Sequence, residues 1–168
     1  LTFNSNASTL VIAPSSARSA QAVVNLGASL TYNAITINDF ALAGTAGRRP
    51  LLFTSASNVI TTFTITNGYW LAFTGGATTT ITNGFTYNGA SGAPILFSSQ
   101  SNNASATLSV GGTVSLSWAA FQNIIKAGAG SITATDSFDL GGNTGITITG
   151  GSGAGGGAVF GAQGGVIT

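Results

Sequence analysis

Histidine, cysteine, methionine and glutamate are absent from this chain, and charge of either sign is scarce. Arg18, Arg48, Arg49 and Lys126 stand against Asp39, Asp136 and Asp139, so 4% of the 168 residues are charged, where about 25% is usual. Without cysteine there is no disulfide framework and no thiolate-held metal. Without histidine the Ser-His-Asp arrangement is impossible. Lys126 is the one lysine, and a lone lysine ordinarily keeps its amine in water rather than activating a serine. A net charge of +1 offers no footprint for nucleic acid or anionic lipid, so neither is expected as a partner. No apolar run approaches the ~18–20 residues of a membrane-spanning helix. The chain is therefore read as a non-enzymatic protein that carries no cofactor.

What is present is β-forming. Ten Phe, three Tyr and two Trp set it apart from a disordered chain. Its 43% hydrophobic residues alternate with Thr, Ser and Asn, as strands with one wet face require. Leu51-Leu52-Phe53 instead reads as a strand buried on both sides. Turn signals punctuate the runs at Asn67-Gly68, Gly75-Gly76, Asn83-Gly84, Asn88-Gly89 and Gly111-Gly112, where positive φ is expected. Two stretches compete as helices: Ser15–Leu26, with serine caps and Gly27 at its end, and Trp118–Lys126, capped by Ser117. The organisation reads as an N-terminal strand or helix arm over residues 1–28, a repetitive β domain over 29–149 and a glycine-rich arm over 150–168. That last arm holds nine glycines in nineteen residues and cannot build a core of its own. Gly151–Gly156 matches G-x-G-x-x-G, but no helix pattern follows it, so the match is put down to chance.

One long stretch is stated twice. Ile37–Ser57 and Ile81–Ser101 pair Phe40 with Phe85, Gly44 with Gly89 and Gly47 with Gly92 at an offset of 45. After a slip of one residue, Pro50 pairs with Pro94, Phe53 with Phe97 and Ser55 with Ser99 at an offset of 44. A Trp-x-Ala-Phe segment follows each copy, Trp70–Phe73 and Trp118–Phe121. Self-similarity of this kind marks stacked repeats. An all-β chain follows, a short right-handed β-helix or solenoid ahead of a β-sandwich of jelly-roll type, which the short strands and frequent hairpin-type Asn-Gly turns would also suit.

Gly44-Thr-Ala-Gly47 with Leu51–Ser55, the copy at Gly89–Ser99, and Gly141-Gly-Asn-Thr-Gly145 resemble the right-handed β-helix-like repeats of bacteriophage appendage and capsid-decorating proteins and of bacterial cell-surface proteins. The resemblance runs over about Leu30 to Ile148, with Ile146 where that family commonly carries an aromatic. It implies a structural or adhesive role on a virion or cell exterior, often as a homotrimer, in contact with other virion proteins or a host glycan. The expected function is a capsid cement or decoration protein or a tail-fibre component. A carbohydrate-binding adhesin is the alternative, and a polysaccharide-cleaving tailspike-type enzyme a lesser one.

Few side chains are candidates for chemistry. Asp136 and Asp139 are the one carboxylate pair close in sequence, as glycoside cleavage would need; with Asn143 they are also the one candidate set of calcium ligands. Asp and Asn in a glycine-rich turn more often bond to their own backbone. Arg48 and Arg49, with Val159 and Phe160 of the C-terminal arm, are the candidate partner contacts. Trp70 and Trp118 would stack on sugars if exposed and would be ordinary packing if buried. The Thr-rich run Thr78–Thr82 is similar to the flat faces of ice-binding solenoids, although the sequence displays no regular Thr-x-Thr ladder.

Overall fold

The computed structural model describes residues 9–12, 22–25, 30–37, 51–54, 57–66, 70–91 and 94–150. Among them the structure is all-β, strands joined by turns, with no helix. The strands are β1 (Thr9–Ile12), β2 (Ala22–Asn25), β3 (Thr31–Ile37), β4 (Leu51–Thr54) and β5 (Asn58–Ile65). Then come β6 (Trp70–Phe73), β7 (Thr78–Ile81), β8 (Thr86–Asn88), β9 (Ile95–Ser99) and β10 (Ala106–Val110). The last five are β11 (Thr113–Ser117), β12 (Ala119–Gln122), β13 (Ile124–Ala127), β14 (Ser131–Asp139) and β15 (Ile146–Gly150).

Every pairing between these strands is parallel. One sheet runs β1-β3-β5-β7-β10-β13; the other runs β2-β4-β6-β9-β12-β14-β11-β8, with β15 added on β14. The sheets curl, because long strands belong to two strips at once. Ser131–Thr135 of β14 pairs with β11, whereas Phe138 and Asp139 pair with β12. Likewise Asn58–Ile60 of β5 pairs with β7, and its later residues pair only with β3.

Three strips result. The first holds β7, β10 and β13 with the early parts of β3 and β5. The second holds β8, β11, the start of β14, and β15; β1 and the later parts of β3 and β5 continue the six-stranded sheet towards it, Phe63 of β5 meeting Phe85 just ahead of β8. The third holds β2, β4, β6, β9, β12 and the end of β14. In each full pass the chain visits first, second and third strip in that order, as β7-β8-β9 and β10-β11-β12 do.

Parallel neighbours cannot be joined by a tight hairpin. Asn83-Gly84 and Gly111-Gly112 therefore carry the chain from one strip to the next, from β7 to β8 and from β10 to β11. This corrects the hairpin reading of those turns, and with it the antiparallel jelly-roll alternative for the described residues. The expected positive φ is met at Gly76 (φ 75) but at none of Gly84, Gly89, Gly111 or Gly112. Close approach of backbones is the reason for glycine at this corner. A Cβ on Gly84 would lie 1.8 Å from the carbonyl oxygen of Thr113, and one on Gly130 would lie 2.0 Å from that of Gly112. Gly84, Gly112 and Gly130 form one column in which successive passes touch main chain to main chain.

The helix expectations are overturned where they can be read. Ala22–Asn25, inside the first candidate, is strand β2 paired with β4. Trp118–Lys126 holds β12 and β13, parted by Asn123 with φ 54. Ladder hydrogen bonds to β9 and β10 outweigh the helix propensity of a short alanine-containing run.

The core lies between the strips. Ile35, Ile60, Ile81, Ile95, Leu71, Val110, Val114, Phe97, Phe121 and Ile124 are almost wholly buried. Register lines them up: Leu51 pairs with Leu71, Leu71 with Phe97 and Phe97 with Phe121. The Phe97 and Phe121 rings stack at 5.3 Å, and Phe53 and Phe73 at 5.5 Å. Phe63 meets Phe85 edge-on at 5.1 Å, where β5 gives way to β8. On the third strip the outward residues Leu52, Ala72, Leu96, Ser98 and Ala120 are buried as well. Strands covered on both faces read as unbroken apolar runs, as Leu51-Leu52-Phe53 does. The other two strips alternate, with β10 and β11 showing every second residue to the outside.

Of the two copies of the repeated stretch, the described strands β4 and β9 fall in this third strip, two passes apart with β6 between them. Leu51 is in line with Phe97, 46 residues on, rather than Phe53 at 44. The sequence match thus spans two layers and slips by two residues in the ladder.

Candidate functional site

Asp136 and Trp118 occupy one corner, between the second and third strips. Ser117 pairs with Thr135 and Ala120 with Phe138, which sets Trp118 beside Asp136 in adjacent passes. Both have left-handed backbone, φ 52 and φ 49. Asp tolerates that conformation better than most residues, so the turn accounts for Asp136. Ser137 follows, buried, and its Oγ accepts the Ala119 N–H at 2.9 Å while donating to the Thr135 carbonyl at 2.6 Å. It takes the place of a ladder bond that the corner interrupts.

Asp139 and Asn143 close the next corner. The Asp139 carboxylate accepts the Gly141 N–H at 2.8 Å and the Asn143 side-chain amide. That amide also donates to the Phe121 carbonyl at 2.8 Å, while Asn143 Oδ1 accepts the Ile124 N–H at 2.9 Å. Asn143 therefore bridges two passes, and its one oxygen points at a backbone donor. This is turn and ladder chemistry. Among the described residues no three of His, Cys, Asp and Glu come together as a metal site.

Lys126 pairs with Leu108, itself in line with Thr79 and Asn58 on the inward side. Its amine turns to the Gly128 carbonyl at 2.8 Å, so the lysine ends an inward column in the last complete pass. Asn58 begins that column. It is 1% exposed, and its Oδ1 accepts the Leu30 N–H at 3.0 Å. Asn58 and Ser137 were not singled out in the sequence; a polar residue opening or interrupting an apolar alternation was the available signal. At the same end of the stack Tyr32 packs on the core, and burial raises its phenol above the ordinary value.

The two tryptophans are not equivalent. Trp70 pairs with Leu96, which pairs with Ala120, so Trp70 aligns two residues beyond Trp118. Its indole N–H donates to Ser98 Oγ at 2.8 Å on the outward side of the third strip. Trp118 is half-buried at its corner. Arg48, Arg49, Val159 and Phe160 lie outside the described residues.

What the ends of the stack expose is more distinctive. Among the described residues the exposed large apolar side chains are Val11 on β1, Leu30 before β3, Ile125 on β13 and Leu140 after β14. All four belong to the first or last passes. Leu10 and Ile12 at one end, and Ile146 and Ile148 at the other, are only partly buried against the core. Among the described residues β15 pairs with β14 alone, which leaves its far edge without a strand. Comparison of the chain with family models, curated proteins and solved structures returned no match.

Proposed function

We propose that the three strips close as a short β-helical solenoid, right-handed as parallel crossover connections almost always are, and that it is a non-enzymatic structural protein of a bacteriophage particle. It serves there as a capsid cement or decoration protein or as part of a tail fibre. The observation that carries this reading is the placement of exposed apolar side chains at the two ends, Val11 and Leu30 against Ile125 and Leu140. Stacked layers bury each other's faces but leave the terminal ones open, and such ends call for a cover. Neighbouring proteins of a particle, or further copies in a homotrimer, supply one. The flanks suit the same role, for hydroxyl and amide surfaces raise little charge repulsion between copies held at fixed sites.

Particles purified on a density gradient from the source culture test the proposal. The chain should accompany them in fixed ratio to the main shell or tail protein. It should also stay attached through molar salt, because few charges take part. Absence from the particle fraction, or release as salt rises, overturns the reading.

A further inference from the structure

Asn83-Gly84 and Asn88-Gly89 are the same dipeptide, yet the stack treats their main-chain nitrogens differently. Both asparagine side chains are exposed, and neither makes a hydrogen bond among the described residues. The Gly89 N–H donates to the Ser117 carbonyl at 2.9 Å, and Asn88 belongs to β8, where it pairs with Ser117. The Gly84 N–H meets no acceptor among the described residues. The chain is tied on either side of it: the Asn83 N–H donates to the Thr61 carbonyl at 3.1 Å, and the Phe85 carbonyl accepts the Ser115 N–H at 3.0 Å. Gly112 crosses this peptide so closely that a Cβ on it would lie 2.3 Å from the Gly84 nitrogen. Being glycine, it brings no side chain to screen that atom.

We propose that Asn83 is a site of spontaneous modification in the folded chain, converting to aspartate and isoaspartate through a cyclic imide, while the ladder spares Asn88. The inference goes beyond the particle role above and does not depend on it. The Gly84 nitrogen gives up its proton and attacks Asn83 Cγ. A bond forms between the two atoms, the Cγ–Nδ2 bond breaks, and ammonia leaves with the proton. Water then opens the imide. Cleavage between Cγ and the nitrogen leaves aspartate in an unaltered main chain. Cleavage between the nitrogen and the Asn83 main-chain carbonyl carbon leaves isoaspartate, with the main chain rerouted through Cβ and Cγ.

The attacking nitrogen is what separates the two sites. Glycine after asparagine carries no Cβ to obstruct the approach, and both dipeptides share that. An N–H held by a carbonyl in the ladder cannot turn its nitrogen to the side chain until the strand opens locally. Gly84 has no such bond to break. The product matters more here than in a highly charged protein. Each conversion replaces a neutral amide with a carboxylate, which takes the net charge from +1 to zero. Isoaspartate also adds a main-chain carbon at the column of Gly84, Gly112 and Gly130, where successive passes already lie too close for a Cβ.

The test holds the full chain in warm, mildly alkaline buffer, samples it over weeks, then denatures it and cuts it with chymotrypsin. Cleavage after Phe73, Phe85, Tyr87 and Phe97 puts the two asparagines in separate peptides. Mass spectrometry reads the amide-to-acid conversion and the isoaspartate content of each. In the folded chain Asn83 should convert faster than Asn88 by on the order of tenfold. A parallel sample kept in concentrated urea should convert both at similar rates, because without the fold both nitrogens are free. Equal rates in the folded chain, faster conversion at Asn88, or no conversion at Asn83 each overturn the proposal. So does the same preference in urea, which would place its cause in the local sequence rather than in the ladder.

Discussion

At the scale of single residues, stability here depends on small groups placed where the ladder breaks. Asn143 answers the Ile124 N–H and the Phe121 carbonyl in another pass. Asn143→Leu takes the acceptor from the Ile124 N–H, while the Phe121 carbonyl keeps the Leu140 N–H; an unpaired buried group costs about 1–3 kcal/mol, so chemical denaturation should show a loss of that order. Gly84→Ala sets a methyl against the Thr113 carbonyl, where backbone rather than a flexible side chain must move. Its melting temperature should fall by more than that of Gly76→Ala. At Gly76 no atom lies within 4 Å and the cost is that of a positive φ alone, roughly 1 kcal/mol. Equal losses would show that the glycine column does not set the spacing of the passes. These residues were only partly legible. Asn143 and Asp139 were recognisable as turn formers, but the glycines pointed to hairpins, because a sequence shows which residue permits a close approach and not what approaches it.

The strands owe their order to columns of like side chains. Phe97 stacks on Phe121 and stands in line with Leu71 and Leu51, all almost wholly buried. Phe97→Ala should cost about 3–5 kcal/mol, the usual range for an aromatic lost from a packed core. Trp70→Phe keeps an aromatic ring and loses the bond to Ser98, so a loss of about 1 kcal/mol is expected; equilibrium denaturation separates the two. Strand content was plain in the alternation of β10, β11 and β14. The helix expectation at Trp118–Lys126 failed because local propensity is a few tenths of a kcal/mol per residue, less than the ladders on either side supply. Trp70 and Trp118 looked like equal members of a repeat, and the two-residue slip between them exists only in the pairing.

Over the whole molecule, the lack of titratable groups has a direct consequence. With no histidine or glutamate, scanning calorimetry should find a melting temperature nearly flat from about pH 5 to pH 9. Tyr32 adds one slope at the alkaline end. Its phenol is raised from 10.0 by burial, so the unfolded chain ionises first. The stability it lends is complete below that value and is lost as pH climbs through the higher folded one. Tyr32→Phe should lessen that alkaline decline. In the proposed solenoid each pass contacts only its neighbours, which sets where opening begins. Amide exchange should be slowest in β9, β10 and β12 and fastest in β15, whose far edge has no strand partner among the described residues. Uniform protection from β9 to β15 would count against a layered molecule.

Composition alone determined that the chain would be β-rich and nearly uncharged, because alternation and β-branching act residue by residue along the strand. The duplicated stretch announced repetition for the same reason. Which residues share a face across passes was decided only by the tertiary structure. Passes of 29, 18 and 14 residues separate Thr78 from Thr107, Ala106 from Ile124 and Ile132 from Ile146, so no fixed period marks these shared faces in the sequence. Hydrogen bonding between neighbouring strands restores the register that corners of unequal length conceal.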